Sequence, residues 1–212
     1  MTLVTLMVTH QSELMTLAVV AMMMAMSPGA DFALVTRNSI GISRSAGLQT
    51  SMGITLGIWV HVIYCISGLA LVINTSPALF NIIKYGGALY LIYLGISSLS
   101  LKDKSVSEQE TDIHDKPSFK YIMVGFMSNA LNPKTTLFFL GIYSQLVTLD
   151  TPFILQLLYG GIISVAHLCW FFSLSYLLSH EKFINIFQKY QVIVIRALGI
   201  ALIAFGARIV FY

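Results

Sequence analysis

Two short stretches put charged and amide side chains in the middle of apolar sequence. They are Met26-Ser27-Pro28-Gly29-Ala30-Asp31 and Asn129-Ala130-Leu131-Asn132-Pro133-Lys134. Asp31 is the one carboxylate well inside an apolar run, since Glu13 sits near the edge of its run. An acid at the bilayer centre costs about 2.5–3.5 kcal/mol on insertion scales, so its retention points to function. Such a carboxylate can neutralise an ammonium group or carry a coupling proton. Lys134 opens a helical segment, where a cation opposes the helix dipole. It therefore needs another reason to be there: Asp31 or the carboxylate of a bound solute. Asn129 and Asn132 add amide donors and acceptors beside it, and Asn38 falls two turns along the helix face that starts at Asp31. Simpler readings stand beside these. Asp31 can be a helix-end charge, Lys134 can snorkel toward water, and the amides can join helices.

His61 and His167 fall near the centres of long apolar spans, where a histidine can relay protons or bond a neighbouring helix. The sequence favours neither role. Cys65 lies one turn from His61, whereas Cys169 is two residues from His167 and off its face, which weakens a metal site. Buried thiols mostly behave as small apolar groups.

The elements that position these residues are interrupted helices. Ser27 and Asn132 are suitable N-caps, and a proline after each suits the first position of a restarted helix. Pro28 and Pro133 therefore predict two free half-helix N-termini near the bilayer centre, with Gly29 at the first. Unpaired N–H groups at such ends attract carboxylates. Interrupted segments at corresponding places in two halves are the best sequence pointer to a transporter's binding site.

Composition agrees. Of 212 residues, 57% are hydrophobic and only 10% charged, against about 25% charged in soluble domains, so a polytopic membrane protein is expected. Nothing resembles a nucleic-acid-binding surface, which would need basic residues clustered on one face of an element. Two cysteines in apolar runs imply neither a disulfide framework nor a zinc module. No Walker loop, Gly-x-Ser-x-Gly or His-Glu-x-x-His motif is present, so no enzyme, ATPase or cofactor chemistry is expected. The apolar N-terminus has no Lys or Arg before Arg37 and lacks a signal peptide's n-region, so it is expected to be retained.

The expected fold is all-α with six transmembrane spans. They are about Ser12–Ile40, Ala46–Ile73, Pro77–Leu101, Phe119–Leu149, Pro152–Leu178 and Val192–Tyr212, each long enough for a bilayer. A polar tract, Lys102 to Lys120, divides them three and three. The expected organisation is a first three-helix repeat over residues 1–101, a polar cytoplasmic loop over 102–118 and a second repeat over 119–212. An odd number of spans per set inverts the second relative to the first, with a proline-broken first helix in each. Pro28 and Pro133 are separated by nearly the same length of chain as His61 and His167, which supports the repeat. Arg37, Arg44, Lys102, Lys104, Lys116, Lys120, Lys182 and Lys189 collect on one side, with little but Lys84 and Arg208 opposite. That side is expected to be cytoplasmic, and both termini outside. Glycines at Gly53 and Gly57, and at Gly86, Gly87 and Gly95, suit close helix contacts.

With these motifs in hand the chain resembles the lysine exporter superfamily, in its homoserine/threonine branch. The resemblance is carried by Ser27-Pro28-Gly29-Ala30-Asp31-Phe32, Arg37-Asn38-Ser39, Gly53-Ile54-Thr55-Leu56-Gly57, Gly86-Gly87-Ala88-Leu89-Tyr90 and Asn129-Ala130-Leu131-Asn132-Pro133-Lys134. It covers nearly the whole chain. It implies a bacterial inner-membrane exporter of amino acids or derivatives, homoserine or threonine first, exchanged for protons. Pro28, Gly29, Asp31, Asn132, Pro133 and Lys134 are the motif residues it carries over. Ala30, Ile58 and Ser144 depart from the family's usual residues, and Ile58 leaves Asp31 as the only central acid. Expected partners are a small amino-acid substrate, protons and the lipid bilayer, with a homo-oligomer left open. Two other classes stay in play: a divalent-metal exporter using Asp31, His61, His167 and the thiols, and a membrane thiol–disulfide shuttle. Neither employs Lys134.

Overall fold

The residue before a proline is pushed out of the helical region, so a helix tends to end there. Ser27 is extended at ψ 134° and ends one helix, while Pro133 starts another. These breaks organise the computed structural model, which describes residues 3–69, 72, 75–100, 119–148, 150–178 and 180–211. A short α1 (Leu3–Thr9) leads into α2 (Gln11–Met26), and after the first break α3 (Ala30–Gly41) follows. Next come α4 (Arg44–Tyr64), prolonged by a π-helical turn at Cys65–Leu69, and α5 (Pro77–Leu99). The second half holds α6 (Phe119–Ala130), the second break, α7 (Pro133–Leu146), α8 (Phe153–Leu177) and α9 (Glu181–Phe211). The described residues contain no strand.

Among the described residues four helical stretches are long and apolar enough to cross a membrane: Arg44–Gly68, Ala78–Leu99, Phe153–Leu177 and Lys189–Phe211. The α2–α3 pair, bent by 60° at its break, makes a fifth if it counts as one span. At the second break α6 and α7 have 12 and 14 residues, each short of the roughly 20 needed to cross alone. The tract at 102–118, with Lys102, Lys104 and Lys116, lies outside the described residues.

Burial is inverted relative to a soluble protein. Asp31, Asn38, Thr50, Ser51, His61, Asn129, Asn132 and His167 are buried, while Val8, Met15, Ile63, Ile82, Tyr93, Ile193 and Ile200 are exposed. Water would penalise that surface, whereas lipid tails accept it. The helix contacts depend on glycine. A Cβ at Gly53 would lie 1.9 Å from the Ile122 carbonyl oxygen, and one at Gly125 2.2 Å from that of Thr50. These close approaches let α4 and α6 run side by side. Gly87 meets Gly141 of α7, and Gly95 meets Gly199 of α9. Gly86, expected to join them, faces open space.

Candidate functional site

Each break holds the charged residue of the other. The Asp31 carboxylate, in the first turn of α3, accepts from three side chains of the second break. Ser128 Oγ donates to Oδ1 at 2.9 Å, and Asn129 Nδ2 to Oδ2 at 2.7 Å. Asn132 Nδ2 approaches Oδ2 at 3.3 Å. In return, Lys134 Nζ donates to the carbonyl oxygens of Ser27 at 2.8 Å and Pro28 at 3.0 Å. Among the described residues no ion pair within 4.0 Å joins Asp31 to Lys134. Their fields still act on each other in this dry setting.

The two helix starts differ, which corrects one expectation. Asn132 caps α7 as predicted: its Oδ1 accepts from Lys134 N at 3.0 Å, and Pro133 occupies the first turn. Ser27 does not cap α3. It closes α2, its N–H donating to Met23 O and Met24 O, and the cap position falls to Gly29, with no side-chain bond. Pro28 holds Ser27 extended, and Gly29 extends the chain once more before α3 begins. The first amides of α3 consequently lack a side-chain acceptor. Gly29 also lets Lys134 come close, since a Cβ there would lie 3.1 Å from both Lys134 Cδ and Nζ.

The histidines part company. His61 is fully buried on α4, with Nε2 3.0 Å from the Asn129 carbonyl oxygen and Nδ1 2.8 Å from the Tyr64 hydroxyl. Only an N–H can bond a carbonyl, so the neutral ring donates from Nε2 and accepts from Tyr64. Its face stacks on Phe139 at 5.3 Å. His61 thus anchors Asn129, which in turn holds Asp31. Among the described residues His167 bonds its own helix alone, Nδ1 donating to Ile163 O at 2.9 Å, and it lines the cavity at the breaks. Asn38 does not reach that cavity. It ties α3 to α4 through Thr50 at 2.8 Å.

Ser27, Gly29, Asp31, Asn132, Lys134 and His167 meet around this cavity, with Phe32 and Phe171 as apolar walls. Its volume is about 10 Å³, enough for a single water. A solute the size of an amino acid enters only if the breaks move apart. Sequence reasoning missed Ser128 and Tyr64. Ser128 adjoins the Asn129 motif and Tyr64 lies one turn beyond His61, so helical spacing was the available signal. Cys65 is buried and Cys169 exposed, both as free thiols. Among the described residues no three His, Cys, Asp or Glu side chains gather to hold a metal.

Broken apolar helices with a buried acid and a half-buried base between them define a helical membrane transporter. The chain belongs to the LysE type translocator family, whose model matches residues 22–212. It is 34% identical over 197 residues to the uncharacterised membrane protein YrhP of Bacillus subtilis (strain 168), covering 89% of this chain and 94% of that one. The threonine efflux protein of Escherichia coli (strain K12) is 32% identical over 135 residues, 63% of this chain and 66% of its own length. The leucine efflux protein of Salmonella choleraesuis (strain SC-B67) is 31% identical over 134 residues, 62% of each chain. No solved structure matches.

Proposed function

We propose that the protein exports small zwitterionic amino acids across the bacterial inner membrane in exchange for protons. The carrying observation is the reciprocal arrangement at the breaks, where Asp31 and Lys134 line one cavity without pairing with each other. The uncapped amides of α3 and the Lys134 ammonium hold the substrate carboxylate. Asp31 takes the substrate ammonium or, in its absence, a proton. Binding and protonation then compete for one carboxylate, which couples the two fluxes. Asn129, Asn132 and Ser128 orient Asp31, and His61 positions Asn129. Pro28 and Pro133 break the helices, Gly29 makes room for Lys134, and His167 bounds the substrate. The relatives named threonine and leucine efflux proteins favour neutral amino acids.

In this reading α6 and α7 form the fourth of six spans. Residues 1–101 and 119–212 make two inverted three-helix repeats around a cytoplasmic loop at 102–118, with both termini outside. Rocking of one repeat against the other opens the small cavity to each side in turn. The test is uptake of a panel of labelled amino acids into everted vesicles carrying the protein, with and without an imposed proton gradient. Accumulation of a neutral amino acid, abolished by an uncoupler, is the expected result. Uptake indifferent to the gradient would remove proton exchange from the proposal.

A further inference from the structure

A second, larger cavity opens where the start of α2 meets the ends of α7 and α9. Its volume is about 570 Å³, within the roughly 300–1,000 Å³ typical of ligand pockets. Ser12, Glu13 and Thr16 line it from α2, Gln145 from α7, and Phe205 and Arg208 from α9. Both charge signs are present and held apart. Glu13 is fixed by the Tyr159 hydroxyl, which donates to Oε1, and by His10 Nδ1, 3.0 Å from Oε2. A carboxylate has about four acceptor sites, so Glu13 keeps lone pairs for a further donor. Arg208 makes no hydrogen bond or ion pair among the described residues. Gln145 Nε2 is buried there without a partner. A buried amide donor without a partner is costly, and a bound acceptor would relieve it.

Packed side chains link the lining of this cavity to the breaks. Tyr159 meets Tyr143 edge-on at 6.2 Å, Tyr143 stacks on Phe139 at 5.7 Å, and Phe139 stacks on His61. His61 then bonds Asn129, the partner of Asp31. A packed run of aromatic rings from Tyr159 to His61 therefore lies between the two carboxylates, with hydrogen bonds at each end.

We propose that this cavity is a second binding site for a zwitterionic amino acid on the path out of the protein. The solute's ammonium sits on Glu13, its carboxylate on Arg208 and the Gln145 amide, and its side chain against Phe205. The identity of the solute rests on the export reading, but the site itself does not. Arg208 also borders an apolar groove of about 460 Å³ between α2 and α9, where a phospholipid is the competing occupant. Glu13, beside the larger cavity, would repel a phosphate and attract an ammonium group.

Equilibrium binding of labelled proteinogenic amino acids to the purified full chain in detergent tests this. Two classes of site are expected for the exported amino acid. Asp31→Asn with Lys134→Met should abolish one and leave the other. Arg208→Gln should weaken that other class about tenfold or more, the size of one charge-assisted hydrogen bond. Arg208→Lys should restore part of it and show that the fold survives, and Gln145→Met should weaken it without altering charge. A single class removed by the Asp31 and Lys134 changes but untouched by Arg208→Gln would overturn the second site and leave the export reading standing. A single class dependent on Arg208 alone would do the reverse. Loss of co-purified phospholipid from Arg208→Gln, with amino-acid binding unchanged, would assign Arg208 to lipid and also overturn the proposal. Absence of binding by every amino acid would overturn both.

Discussion

The Asp31 carboxylate and the Lys134 ammonium line the same cavity, yet each bonds the opposite break instead of the other. Lys134 satisfies carbonyl oxygens that the ending of α2 leaves exposed, and Asp31 satisfies amide and hydroxyl donors beside the start of α7. Neither charge is cancelled by a direct ion pair, which is why the proposed export mechanism gives each a separate group of a zwitterion.

Asp31→Asn tests the coupling. The amide keeps the shape of the carboxylate and is cheaper to place in a bilayer, so the protein should insert and fold. Proton-driven accumulation in everted vesicles should fall to background. Wild-type efflux from loaded cells should respond to external pH, and the variant's residual flux should not. A well-expressed variant with wild-type accumulation would reduce Asp31 to a helix-end charge.

Lys134→Met leaves the Ser27 and Pro28 carbonyl oxygens without their donor, at a cost of about 1–3 kcal/mol. Lys134 and Asp31 line one cavity and share Asn132 as a partner, so adding Asp31→Asn should recover part of the loss, and the two changes should be non-additive by about 0.5 kcal/mol or more. Thermal unfolding of the four proteins in detergent measures this. Additive losses in the double variant would mean that the two sites are independent.

His61→Phe keeps an aromatic ring against Phe139 but removes the bond to Asn129. Transport should drop while the protein stays folded, because Asn129 loses an anchor and Asp31 loses a well-placed donor. His167→Phe, by contrast, removes only a bond to its own helix. It should alter which amino acids are accepted more than the maximal rate. Equal effects of both changes on rate and selectivity would contradict the separate roles.

Gly53→Ala brings a methyl carbon within 1.9 Å of the Ile122 carbonyl oxygen. Backbone must shift, and overpacking of this kind costs about 1–3 kcal/mol. A lower melting temperature is expected, whereas Gly86→Ala, which meets nothing, should be silent. An equal loss from both would place the α4–α6 contact elsewhere.

Orientation is checked with a reporter active only outside the inner membrane. It should work when fused after Tyr212 and fail between Lys102 and Lys120. The opposite pattern would turn the chain over and make the α2–α3 pair re-entrant.

The sequence alone determined the class of protein and the position of its breaks. A composition with so few charges excludes a soluble core, and a proline in an apolar run restricts the residue before it wherever it occurs. These are local or additive effects, legible without contacts. Asn132 as a cap belongs with them, because Asn followed by Pro and Lys meets the requirement within three residues. The tertiary structure decided which groups meet. That Asp31 is held by Ser128 and Asn129 instead of Lys134, that Ser27 closes a helix instead of opening one, and that His61 serves Asn129 while His167 borders the cavity all depend on how α4 and α8 cross the breaks. The α4 crossing is set by Gly53, Gly57 and Gly125, at which it comes within backbone contact of α6, while Gly160 of α8 packs on the Val62 side chain. A sequence marks such glycines as small but does not say which helix faces them: Gly87 meets another helix, and its neighbour Gly86 meets nothing.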